Sequence, residues 1–226
     1  MIEIINGDAM SSISEAIDMV AYTGAVPVIV TDPPFNIGYR YRSYRDRMDE
    51  GEYLSMLAGL IEIAPSVIIH YPETLHRVSM AAGRAPDRIV SWVYPSNTRR
   101  QHRDVAFYDI EPDFSRVRQP YRNMSDKRVR ALYERTGGAR LYDWFEVNQV
   151  KNVSKEKTEH PCQMPLKVMD NVVGVLPDGI GVVDPFCGSG TTLVACMRRG
   201  IPCVGIEIDA GYCEIAMTRI EKEREN

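Results

Sequence analysis

The chain has 226 residues, 44% of them hydrophobic, with a formal net charge of −4. That is apolar matter for the core of one α/β domain with a modest insertion, and no apolar run approaches the roughly 18 residues of a membrane span. The five cysteines, all beyond residue 160, form no C-x-x-C pair, which argues for a reduced protein without metal.

The charge is unevenly placed. Residues 1–38 hold five acids and no base, residues 158–226 ten acids against six bases, and residues 96–157 fourteen bases against nine acids. A basic face on an acidic body is compatible with phosphate contacts. The start, Met1 to Asn6, lacks the basic residues and long apolar stretch of a secretory leader, so a cytoplasmic protein is expected.

In chain order, Ile2–Ile5 reads as a short strand closed by the turn signal Asn6-Gly7-Asp8. Ser11–Tyr22 has a helical period, with Ile13, Ile17 and Val20 on one face. Val26–Val30 is a buried strand that delivers Asp32 to its C-terminal end. A helix over Glu52–Ala64 follows, then a strand at Val67–Tyr71, a helix at Glu73–Gly83 and a strand at Arg88–Tyr94. Strands alternating with helices predict an α/β fold, a doubly wound and mostly parallel sheet covered on both faces.

From Ser96 to Lys157 prolines, glycines, bases and aromatics interrupt the pattern. Thr98–Arg103 reads as a cationic loop and Val105–Tyr108 as one more strand, which leaves a small irregular insert at about 109–157 within a single domain. Trp92 and Trp144 are assigned to the core. Regularity returns with a helix at Pro165–Leu176, a strand at Gly181–Val183, a helix at Thr191–Arg199, a strand at Cys203–Ile206 and a last helix to about Lys222.

Thr31-Asp32-Pro33-Pro34-Phe35-Asn36 is the first segment with chemistry in it. Two consecutive prolines fix φ and remove two N–H donors. An exocyclic amine has two N–H bonds, and the Asp32 carboxylate and Pro33 carbonyl can accept both. Held so, its lone pair turns out of the ring plane. Phe35 offers a flat face on which an extruded base stacks.

Asp184-Pro185-Phe186-Cys187-Gly188-Ser189-Gly190-Thr191-Thr192 is the second. Gly188 and Gly190 let backbone approach a ligand, and free N–H groups at the start of a helix favour an electron-rich partner. Glu207, at the end of the next strand, is placed to accept both hydroxyls of a ribose, while Asp209 reads as the N-cap of the final helix. A dinucleotide oxidoreductase fits less well, because a third glycine is missing and the unit comes last.

With these residues in place, the chain resembles the S-adenosylmethionine-dependent amino-methyltransferases of DNA, in the circular order called the β group. There a D-P-P-[YF] segment comes first, a target-recognition insert follows, and an F-x-G-x-G turn closes the order. Asn6-Gly7-Asp8-Ala9 and His160-Pro161-Cys162-Gln163-Met164-Pro165 also resemble family segments, although Cys162 and Met164 stand where the family has threonine and lysine. The resemblance implies a circularly permuted class I methyltransferase fold. It implies catalysis at Asp32, Pro33, Pro34 and Phe35, and a cofactor site built from Asp8, Ala9, Asp32, Cys162, Asp184, Phe186, Cys187, Gly188, Ser189, Gly190, Thr191, Glu207 and Ile208.

Two basic stretches suit a nucleic acid. Tyr39, Arg40 and Arg42 alternate aromatic and cation just after the pocket, and Arg99, Arg100 and Arg103 form a denser cluster. The amide-rich run Asn148 to Lys155 is either base readout or a polar turn. Pro161-Cys162-Gln163 also spells the nucleophile segment of cytosine carbon-5 enzymes, but those carry the glycine turn before the cysteine.

The expected activity is methylation of adenine N6 at a short site in double-stranded DNA, as in restriction-modification, since an Asp opening the P-P segment goes mostly with adenine in the family. Cytosine N4 is the alternative. A methyltransferase of RNA or protein glutamine, and a catalytically silent DNA-binding module, also stay open, as does a homodimer.

Overall fold

The computed structural model describes residues 1–96 and 98–225. Its apolar, β-branched runs become central strands with no solvent face: every residue of Ser66–His70, Ile180–Asp184 and Cys203–Glu207 is buried. In chain order the elements are β1 (Ile2–Asn6), α1 (Ala9–Tyr22), β2 (Val26–Thr31), α2 (Glu50–Ile63), β3 (Ser66–His70), α3 (Pro72–Ala81), β4 (Arg88–Val93) and β5 (His102–Tyr108). Then come β6 (Arg118–Gln119), α4 (Lys127–Thr136), β7 (Ala139–Arg140), β8 (Trp144–Glu146), α5 (Leu166–Gly174), β9 (Ile180–Asp184), α6 (Thr191–Arg198), β10 (Cys203–Glu207) and α7 (Ala210–Arg224). Aspartates begin several helices: Asp8, Asp49, Asp126 and Asp209 each accept a backbone N–H of the first turn.

Eight strands form one sheet in the order β1-β10-β9-β2-β3-β5-β4-β8. All pairings are parallel except those of β5, which runs against both β3 and β4. Alternate residues feed two cores. Val28, Val30, Val67, Ile69 and Val182 pack toward α5 and α6, and Ile29, Ile68, Val183 and Val204 toward α1, α2 and α3.

The order of connection reverses between β9 and β2. From β9 the chain steps through α6 to β10 on one side, and from β2 it steps through α2 to β3 on the other. Crossovers that leave in opposite directions open a crevice beyond the strands' C-terminal ends. Asp32 follows the end of β2 and Asp184 ends β9, so residues about 150 positions apart face one crevice as a consequence of topology.

The middle of the chain is more regular than its sequence pattern predicts. His102 and Arg103, read as loop, open β5, because Val93 and Trp92 of β4 pair with them. The insert holds the antiparallel pair β6–β7 with the helix α4 between its strands, and β8, which extends the main sheet by pairing with β4. Trp92 is in the core, 1% exposed. Trp144 is not: it is 36% exposed, with the Arg122 guanidinium 4.4 Å from its ring centre. All five cysteines are free, and only Cys162 is exposed. No described helix is long and apolar enough to cross a membrane, and no cluster of metal-ligating side chains occurs among the described residues.

Candidate active site

Asp184 joins the two loops of the crevice. Its Oδ1 accepts from the Thr31 hydroxyl at 2.9 Å and from the Phe186 N–H at 3.1 Å, and its Oδ2 accepts from the Thr192 hydroxyl at 2.5 Å. The carboxylate therefore ties the end of β2 to the start of α6, which fixes the spacing between the Asp32 segment and the glycine turn. Desolvation raises its pKa to about 6, against the three hydrogen bonds that favour the charge.

The glycine turn is held from three sides. Gly188 and Gly190 have φ of +51° and +75°, which favours glycine at both. A side chain on Gly188 would lie 2.9 Å from His160 Nε2, and one on Gly190 2.8 Å from Ala216 of α7. The second glycine thus serves packing against a helix. Arg219 of α7 adds hydrogen bonds from Nη1 to the Ser189 carbonyl (2.6 Å) and to the Ser189 and Thr191 hydroxyls (3.0 Å each). Glu207 accepts the Gly188 N–H and the Asp209 N–H, both at 2.9 Å, one on each carboxylate oxygen. A carboxylate has about four lone-pair sites, so acceptor capacity is left over.

The Asp32 segment is fixed from below by a chain of hydrogen bonds that sequence reasoning missed. The Tyr71 N–H lies 2.7 Å from His70 Nδ1, His70 Nε2 lies 2.8 Å from the Tyr53 hydroxyl, and that hydroxyl donates to the Pro34 carbonyl at 2.6 Å. Because Nδ1 accepts, Nε2 carries the proton, and every link has one donor and one acceptor. Burial pushes the His70 pKa down to about 3, so the ring stays neutral. The Phe35 ring rests on this histidine, with centroids 4.3 Å apart.

Asp32 itself is half-buried, and its Oδ1 has no partner among the described residues. Desolvation drives its pKa up to about 7, against the lowering effect of Arg103, whose Nη1 stands 3.5 Å from Oδ2. The Pro33 carbonyl accepts no hydrogen bond from the described residues.

Residues 36–48 close the cavity as a small hairpin. Asn36, at φ +54°, exchanges two hydrogen bonds with the Met48 backbone, and Gly38 and Tyr39 pair with Asp46. Tyr41 and Tyr44 stack with centroids 4.8 Å apart and planes 6° from parallel. Arg42 reaches across to Glu159 at 3.0 Å.

The Asp32 segment, the glycine turn and the 36–48 hairpin border one cavity of about 330 Å³, at the small end of the range for sites that bind organic ligands. Asp32, Pro33, Pro34 and Phe35 line it, as does every residue expected at the cofactor except Gly190. Of the residues expected to meet DNA, Tyr39 and Arg103 line the cavity. Arg40, Arg42, Arg99 and Arg100 lie outside it, toward solvent. Cys162 is at the wall, and partial desolvation raises its thiol pKa, the opposite of an activated nucleophile.

The sequence pattern of the DNA methylase family, which covers N6 and N4 methyltransferases, matches residues 82–218. The chain belongs to this family. The match covers the insert and the glycine-turn half and begins after the Asp32 segment. Among curated proteins, the chain is 24% identical to the type II methyltransferase M.HpaI of Haemophilus parainfluenzae, over 88% of this chain and 69% of that one. Among solved structures it is similar to the M1.HpyAVI–SAM complex, with a TM-score of 0.59 at 22% identity over 97% of this chain and all of the other. It is also similar to the cytosine-N4-specific PvuII DNA methyltransferase, with a TM-score of 0.66 at 14% identity over 99% and 90%. The methylase sheet therefore has the class I methyltransferase architecture, and the family's reaction is S-adenosylmethionine-dependent methylation of DNA amino groups.

Proposed function

We propose that this chain methylates the N6 amine of adenine at a short specific site in double-stranded DNA, using S-adenosylmethionine. The observation that carries the reading is the shared cavity: an Asp32 oxygen and the Pro33 carbonyl, both without a partner among the described residues, border the same space as Gly188 and Glu207. When bound, S-adenosylmethionine supplies a methyl group on a sulfonium, whose C–S bond breaks with its electron pair left on sulfur. The residues fit that molecule. Glu207 has acceptor capacity for ribose hydroxyls, and Asp8, Ala9 and Ile208 border the same end of the cavity.

Asp32 and Pro33 hold the amine by its two N–H bonds, and Phe35 carries the base on its ring. The carboxylate faces the nitrogen that gains positive charge and is placed to take the proton it sheds. Water exclusion falls to the 36–48 hairpin. Neither acceptor distinguishes adenine N6 from cytosine N4, so cytosine is the alternative target; the aspartate opening the P-P segment favours adenine. The exposed cations of α4 and of residues 40–47 are the proposed contacts to phosphate, with residues 109–157 as the target-recognition insert.

Expression in a host free of adenine and cytosine amino-methylation, followed by mass spectrometry of its DNA nucleosides, tests this directly. N6-methyladenine is the expected product, N4-methylcytosine selects the alternative, and neither product refutes the reading.

A further inference from the structure

Asp32 Oδ1 and Arg103 Nε, on two residues that line the cavity, are both buried without a partner among the described residues. They belong to a loose pair, since 3.5 Å from Arg103 Nη1 to Asp32 Oδ2 is at the outer limit of a hydrogen bond. The same guanidinium lies 4.5 Å from the centre of the Phe35 ring. A flat group bearing N–H donors thus sits on the Asp32 carboxylate and, among its aromatic neighbours, nearest the Phe35 ring. An extruded base, itself flat with a donating amine, needs the same two surfaces.

We propose that Arg103 is a placeholder for the target base, covering Asp32 and Phe35 while the pocket is empty and displaced when the base arrives. This deepens the methyl-transfer reading and rests on it. Space supplies the first argument, because a ring stacked on Phe35 and bonded to Asp32 takes the volume the guanidinium fills. Charge supplies the second. The amine becomes cationic as it takes up the methyl group, and a guanidinium still paired with Asp32 would oppose that charge in a site shielded from water. Arg103 also has a second aromatic face within reach, since the centre of the Trp92 ring is 5.2 Å from its guanidinium.

The placeholder keeps Asp32 usable. The groups facing that carboxylate are Arg103 from β5, Asp184 from β9, Tyr53 from α2, Tyr94 just after β4 and Cys162 from the loop before α5. Of these only Arg103 is a cation, so it alone favours the ionised form before DNA binds.

The test uses Arg103→Met at saturating S-adenosylmethionine, on a duplex carrying the site located by sequencing modified host DNA. The pH dependence of kcat/KM reports groups in the protein before DNA binds, and that of kcat reports the complex. If Arg103 leaves, the variant's kcat/KM midpoint moves to higher pH while its kcat midpoint stays where the wild type has it. KM for the duplex falls roughly 3- to 10-fold, as a cation no longer competes for the aromatic face. Both midpoints moving together would mean that Arg103 stays on Asp32 throughout, and a rise in KM would make it a substrate contact. Either result overturns the proposal, as does an unmoved kcat/KM midpoint.

Arg103→Lys serves if the methionine variant fails to bind S-adenosylmethionine in calorimetry. Its KM is then expected to fall with both midpoints near wild type, and a KM that is unchanged or raised overturns the proposal. Wild-type protein that methylates no DNA sinks the functional reading instead, so the two failures are distinct.

Discussion

Around the cavity, the polar groups that brace its two loops are buried and committed to one another. Asp184 takes three hydrogen bonds, Glu207 two, and the Tyr71–His70–Tyr53–Pro34 chain has no spare donor. Along residues 109–157 the reverse holds: α4 buries no side chain and presents Lys127, Arg128, Arg130 and Arg135 to solvent. Deleting one partner in the first region strands another at about 1–3 kcal/mol. Deleting one charge in the second removes an interaction already screened beyond about 10 Å. Variants of the cavity should therefore change rate or cofactor affinity at any salt concentration, and variants of the insert should change DNA affinity in a salt-dependent way.

The largest effect is expected at Asp32. Asp32→Ala should lower methyl transfer by at least about 10²- to 10³-fold, because it removes the charged acceptor of the amine, while calorimetry still detects cofactor binding. Activity retained within tenfold in a radiolabelled-methyl assay would remove Asp32 from the mechanism. Next comes Glu207→Gln, which sets an amide NH₂ against either the Gly188 or the Asp209 N–H. Loss of a charge-assisted hydrogen bond costs about 1.5–3 kcal/mol, so cofactor affinity should weaken roughly 10- to 100-fold. An unchanged Kd would mean that Glu207 only braces the turn.

The same contrast explains what was legible in the sequence. The central strands were, because β-branched runs buried on both faces leave a continuous signal, and so were the two loops at the switch point. Arg103 was misplaced because apolar alternation starts only at Val105. It is the backbone pairing with Trp92 and Val93 that extends the strand to His102. Its contact with Asp32 spans the fold and has no local signature. His70 went unread for a similar reason, since Tyr53 lies on a separate helix. One clue existed: a polar residue at the C-terminal end of a buried strand, the position from which β2 presents Asp32. Helix α4 had its signals too, with Asp126 and Gly137 as caps and Val129, Leu132 and Tyr133 at helical spacing, but that stripe is short and meets no core.

The insert side of the contrast is tested by changing Lys127, Arg128, Arg130 and Arg135 together to Gln. Every phosphate that these cations neutralise adds about 0.9 to the slope of log affinity against log salt. The variant's plot should be flatter by that amount per phosphate, with kcat on saturating DNA unchanged. An unaltered slope would place α4 away from the backbone of DNA. The pH profile sharpens the other side. Burial holds the Asp32 pKa near 7, so kcat/KM should rise with pH through that value and level off above it. Stability runs the other way. A carboxyl whose folded pKa is raised contributes most below its unfolded value near 4 and loses that contribution as pH climbs through 7. Relative to Asp32→Asn, the wild type should thus lose thermal stability between pH 4 and 7.

The smallest effect is expected from a hydroxyl that braces the Asp32 segment from below. Tyr53→Phe keeps the ring and deletes the hydroxyl between His70 Nε2 and the Pro34 carbonyl. Both neighbours then lose that partner, which loosens the peptide that follows Pro34 and the histidine under Phe35. Net hydrogen bonds of this kind are worth about 1 kcal/mol, so kcat should drop roughly fivefold. S-adenosylmethionine affinity should hold, because the chain of bonds touches only the Asp32 segment. A parallel fall in cofactor affinity would show that Tyr53 supports the whole crevice. An unchanged kcat would show that the two prolines alone keep the acceptor carbonyl in place.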